Sequence, residues 1–87
     1  MAHVLLLIEV ADSSLDYDRE VKLPLYAKAG IADFWIANVL DDCVEVYRQP
    51  LPAGEYAPPR IAKRGETISL LAVPELTVAV DDLLGRE

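Results

Sequence analysis

VLLLIEVADSSLDYDREVKLPLYAKAGIADFW, residues 4–35, runs from an apolar segment through a polar loop and an amphipathic stretch to a second apolar segment. That order is the pattern of a parallel β–α–β crossover. Val4–Val10 is apolar up to Glu9 and does not alternate, as strands covered on both faces do not. The loop 11–18 is rich in Asp and Ser, which bond their local backbone and favour turns; Ser14 or Asp16 is the expected helix cap. Beyond it Val21, Leu25 and Ala29 recur every four residues with Tyr26 beside them, the apolar stripe of a helix. Pro24 kinks that helix or marks its first turn, so its start falls anywhere from Tyr17 to Leu23. Gly30 is the expected stop.

Working outward, Asp33–Leu40 reads as the second strand, with a turn at Asp41-Asp42 and a third strand at Cys43–Gln49. In the third strand Val44, Val46 and Arg48 alternate with Glu45 and Tyr47, which predicts one wetter face. Arg60, Lys63 and Arg64 form a basic cluster expected on a solvated loop, with phosphate contact as the functional alternative. Glu55–Ala57, Glu66–Leu71 and Leu76–Val80 are short extended candidates. Asp81–Leu84 reads as one helical turn capped by an aspartate.

A chain of 87 residues allows one small domain, and 53% hydrophobic content places it among folded chains. The expected division is a β–α–β core over 4–40, a hairpin over 33–49, and strands with a short helix over 55–85. The net charge of −7 argues against holding nucleic acid by bulk electrostatics, but leaves room for a local basic rim and a metal ion. Cys43 is the single cysteine, which excludes an internal disulfide and a cysteine zinc site. No segment has the pattern of a secretory signal or the roughly 20 apolar residues of a spanning helix, so the expectation is a cytoplasmic chain with no membrane partner.

In a right-handed crossover, sites form at the carboxyl ends of the strands. Glu9 ends the first strand and Lys22 lies early on the helix leaving from it. A charge at the end of an apolar strand needs a partner or a metal. Two readings follow: a structural ion pair of Glu9 with Lys22 or Arg19, or one carboxylate of a Mg²⁺ site whose lysine steers or deprotonates a water. Asp12, Asp16 and Asp18 read first as turn and cap residues, and Tyr26 and Trp35 as packing.

The segment IEVADSSLDYDREVKLPLYAKAGIADFWIANVL, with VEVYRQP and the tail ELTVAVDDLL, resembles a large restriction endonuclease family abundant in cyanobacteria, within the PD-(D/E)XK nuclease superfamily. The likeness covers Val4 to Leu84. It implies an α/β, restriction-endonuclease-like β–α–β core with a mixed sheet, truncated at the N-terminus, and a DNA phosphodiesterase dependent on Mg²⁺ or Mn²⁺. Glu9 matches the family's metal-binding glutamate and Lys22 its helix lysine, because Ala11 stands where the superfamily usually carries that lysine. Asp18 matches an accessory aspartate. Family members are longer and often carry Pro-Asp before this strand, where Ala2-His3 stands here. The resemblance therefore implies an endonuclease impaired by the loss of its upstream acid, or a non-catalytic remnant acting as an interaction module. The first strand lacks a second neighbour, so a homodimer or a complementing chain is the expected partner, beside DNA.

Overall fold

The computed structural model describes residues 5–12 and 15–85. Val4 and Ser14, to which the sequence assigns a strand start and a cap, lie outside them, as does His3. Strand β1 (Leu7–Ala11) leads into a continuous helical run made of α1 (Leu15–Tyr17), a π-helical turn (Asp18–Lys22) and α2 (Leu23–Lys28). There follow β2 (Asp33–Asn38), β3 (Cys43–Arg48), β4 (Pro50–Leu51), β5 (Glu55–Tyr56), β6 (Arg60–Lys63), β7 (Thr67–Ser69), β8 (Thr77–Ala79) and α3 (Val80–Leu84). The order in the main sheet is β1-β2-β3-β6. β1 and β2 run parallel, while β2–β3 and β3–β6 are antiparallel. The fold is α/β on a mixed sheet, as the sequence leads one to expect.

Pro24 explains the π turn. Proline has no N–H to give, and its ring crowds the carbonyl four residues earlier. The Leu23 N–H bonds the Asp18 carbonyl, five residues back, and the helix widens by one residue. That shift overturns the expected stripe. Val21, Leu25 and Ala29 are exposed, whereas Leu15, Asp18 and Ala27 are buried, with Leu23 and Tyr26 packed against the sheet. Asp16 lies inside the first turn rather than capping it. The C-terminus behaves as Gly30 predicts. Its φ is +77°, its N–H bonds the Ala27 carbonyl and the Ile31 N–H bonds the Tyr26 carbonyl, which together form a Schellman cap.

Two cores sandwich the sheet. Beneath the helix, Phe34, Ile36 and Tyr47 pack with Ala11 and Leu15, and Tyr26 meets Phe34 edge-on at 5.1 Å between centroids. On the other face Trp35, Ala37, Val44, Val46 and Ala62 are covered by Ile68 and Val80 from β7 and α3. The cover is centred on β2 and β3, so β1 is not buried on both faces as its composition suggests; Val10 is 63% exposed. The Ala11 carbonyl accepts from the Val39 N–H just past β2. Backbone groups alternate along a strand, so Ile8 and Val10 turn theirs to the outer edge of the sheet.

β3 has no wet face. Glu45 and Tyr47 are as buried as the valines between them. The Glu45 carboxylate is held in place by donors: Arg19 Nε at 3.1 Å with Arg19 Nη2 on the other oxygen, Tyr47 OH at 2.6 Å, and Asn38 Nδ2 at 2.9 Å. Burial pushes the Glu45 carboxyl up, but the Arg19, Tyr47 and Asn38 bonds outweigh it and hold it below the usual glutamate range. Arg60–Lys63 is a strand rather than a loop, because β3 offers it a free edge. At α3 the capping residue is Ala79, with no side-chain bond; Asp81 instead accepts the Gly65 N–H at 3.2 Å.

A second buried acid fastens the opposite end of β2. Asp33, fully buried, accepts from Trp35 Nε1 at 2.7 Å, Arg48 Nε at 2.8 Å and the Leu71 N–H at 2.9 Å.

Asp33→Ala strands the buried Trp35 indole donor and removes the acceptor of the part-buried Leu71 amide, while Arg48 can still reach water. Its unfolding free energy in urea should fall by about 2–4 kcal/mol; a loss under about 1 kcal/mol would contradict the role. The depressed Glu45 carboxyl adds stability that is complete above the normal glutamate range, about pH 4.5, and is lost as pH falls through its folded value. Glu45→Gln should therefore be less stable than wild type at pH 7, and the gap should narrow below about pH 4.5. A gap that widens on acidification would refute this.

Candidate active site on the helix face

The strand registers set out the site. Glu9 lies opposite Ile36, Ile36 opposite Glu45, and Glu45 opposite Ile61, so one row crosses all four strands. This row is on the face that the helix covers. The helix stands over it with Arg19 and Lys22 three residues apart, and each reaches a different carboxylate. Arg19 takes Glu45. Lys22 Nζ donates to Glu9 Oε2 at 3.0 Å and lies 3.5 Å from Asp18 Oδ1. Tyr26 OH donates to Glu9 Oε1 at 3.3 Å, so each oxygen of Glu9 has its own donor.

Glu9, Lys22 and Asp18 are thus brought together on one side of the sheet. Asp18 is a buried residue of the π turn, not a loop cap. Of the two cations offered to Glu9 by the sequence, Lys22 takes it. Asp16, exposed on α1, has no bond to this group. Tyr26 does more than pack, since its hydroxyl orients Glu9. The Glu9 hydrogen bond, outweighing desolvation, raises the Lys22 ammonium above its ordinary value, with Asp18 adding to the effect. Lys22 is a cation at neutral pH.

Sequence reasoning missed Arg19 and Glu45 as a pair. Glu45 sits at an alternating position that normally faces water, and only the burial of Tyr47 beside it reveals the inward direction. Cys43 is a buried hairpin residue. Burial first, then the charges of Glu45 and Asp41, push its thiol up, away from the reactive thiolate.

The donor set can be weighed against a divalent metal. Among the described residues no three His, Cys, Asp or Glu side chains converge. Glu9 and Asp18 do supply hard oxygen donors on either side of Lys22. Mg²⁺ asks for little more, commonly one or two carboxylates completed by water and substrate phosphate. Both carboxylates are hard donors of the kind such an ion takes, and in this structure Lys22 engages both.

Among the described residues no helix is long and apolar enough to cross a membrane. A comparison with curated proteins returns no match. A family model described as "Uma2: Putative restriction endonuclease" matches residues 1–81 of the 87, and the chain belongs to that family.

Proposed function

We propose that the chain acts on DNA as a metal-dependent endonuclease, with Glu9 and Lys22 as its catalytic residues, Glu9 also as metal ligand, and Asp18 as an accessory acid. One observation carries this reading: a carboxylate at the middle of β1 and a helix lysine, far apart in sequence, meet at 3.0 Å beside a second carboxylate. A bound Mg²⁺ or Mn²⁺ would polarise the phosphoryl oxygen and lower the pKa of a water. Lys22, kept protonated, acts through charge and position. Its ammonium directs a water by hydrogen bonding and offsets negative charge that builds on the phosphate. Tyr26 holds the Glu9 carboxylate in one orientation. Asp18 shares the ammonium and limits its swing. With an upstream acid replaced by His3, turnover is slow. The cytoplasm, where a lone cysteine stays reduced, is the compartment that suits this activity.

On the same reading the outer edge of β1 takes a strand from a second copy or a complementing chain. The outward backbone groups of Ile8 and Val10 favour such pairing, as does the exposed Val10 side chain.

Supercoiled plasmid should be nicked slowly in Mg²⁺ or Mn²⁺, and Glu9→Ala and Lys22→Ala should each reduce nicking by about 100-fold or more. The absence of nicking at any metal concentration leaves the chain a non-catalytic remnant. In light scattering the protein should run above its monomer mass; a monomer with a sharp cooperative melt speaks against strand pairing.

A further inference from the structure

A cleft of about 580 Å³ opens on the same face of the sheet, beside the ion-pair row. Arg19 and Glu45 line it together with Lys63, which ends β6, Arg64 just past it, and Asp42 from the β2–β3 turn. Cys43 and Ile61 add apolar lining, and Asn38 and Asp41 contribute polar groups at the end of β2. The row next to Glu9 explains the position of Lys63: Ala11 lies opposite Asn38, Asn38 opposite Cys43, and Cys43 opposite Lys63.

The charges in the cleft are unequally committed. Arg19 is paired with Glu45, and Arg64 Nε is 2.7 Å from Asp42. Asp41 accepts from Asn38 Nδ2 at 3.1 Å. The Lys63 ammonium has no carboxylate within ion-pair distance among the described residues; the bonds to Glu66 are made by the Lys63 backbone, whose N–H donates to the Glu66 carboxylate and whose carbonyl accepts the Glu66 N–H. The cleft lining sets Asp41, Asp42 and Glu45 against Arg19, Lys63 and Arg64. Lys63 is the cation among them that makes no ion pair with a described residue, so it is the group most available to an anion in a chain of net charge −7. β1 to β6 spans three strand spacings, about 14 Å. One nucleic-acid strand rises about 3.4 Å per phosphate, so that distance covers about four nucleotides.

We propose that this cleft carries the sugar–phosphate backbone of the DNA strand flanking the phosphodiester at Glu9 and Lys22, with Lys63 as a phosphate contact and Ile61 and Cys43 against the sugar or base. This deepens the nuclease reading and rests on it.

The test is fluorescence anisotropy of a labelled short duplex in EDTA, where no cleavage occurs, over a series of NaCl concentrations. Lys63→Gln should weaken binding about 3–10-fold at low salt and reduce the salt slope by about 0.9, the loss of one phosphate contact. Lys28→Gln, an equal charge change on α2 away from the cleft, should leave the slope unchanged; circular dichroism confirms that both variants fold. A Lys63→Gln slope equal to wild type, or equal losses in the two variants, overturns the cleft assignment while the nicking result on Glu9 and Lys22 stands. Wild type that binds no duplex at all overturns it too.

Discussion

Glu45 is a carboxylate in the middle of a buried strand, and the cost of placing it there shapes everything around it. A buried charge persists only when it is paired and fully bonded. Asn38 and Tyr47 supply two bonds from the sheet itself. The compensating charge must come from outside the sheet, and Arg19 brings it from the helix. The helix is thereby fixed in rotation as well as position. Lys22, three residues on, then reaches Glu9 on the sheet as well as Asp18 on its own helix. The site is in this sense a consequence of how a structural acid is neutralised.

Pro24 is the other half of the constraint. In a regular helix the residue positions advance by 100° each. The π turn absorbs one extra residue between α1 and α2. Leu15 before it, Asp18 at its first position, and Tyr26 and Ala27 after it can then all face the sheet. π turns occur often at functional sites because they present residues that a uniform helix would rotate away. Here the turn holds Asp18, Arg19 and Lys22, all three of which face strand or neighbouring charges.

The crossover was legible in the sequence because it depends on local pattern: an apolar run, a polar loop, Gly30 as a stop. Glu9, expected at the end of the first strand, lies instead at the middle of β1, because pairing with β2 continues through Ala11. The meeting of Glu9 with Lys22 followed from handedness and strand order, which are general rules. The buried face of the helix was not legible. Counting by fours through Val21 and Leu25 assumes an unbroken helix, and Pro24 breaks that assumption without announcing in which direction. Glu45 was hidden for a related reason, since alternation on a strand reports wet and dry faces only when the dry face lacks charge. Asp33 gave no signal at all. Its donors come from Trp35, from Arg48 directly opposite on β3, and from the chain at Leu71, a contact that joins positions 38 apart.

If Arg19 and Glu45 together seat the helix, their energies must be coupled. The direct measurement is a double-mutant cycle in urea with Arg19→Met, Glu45→Gln and the combination. For a bidentate bond between a buried carboxylate and a half-exposed guanidinium, the expected coupling is about 1–2 kcal/mol. Additive losses, with coupling below about 0.3 kcal/mol, would mean that the helix is held by its apolar contacts alone and that the ion pair does not place Lys22.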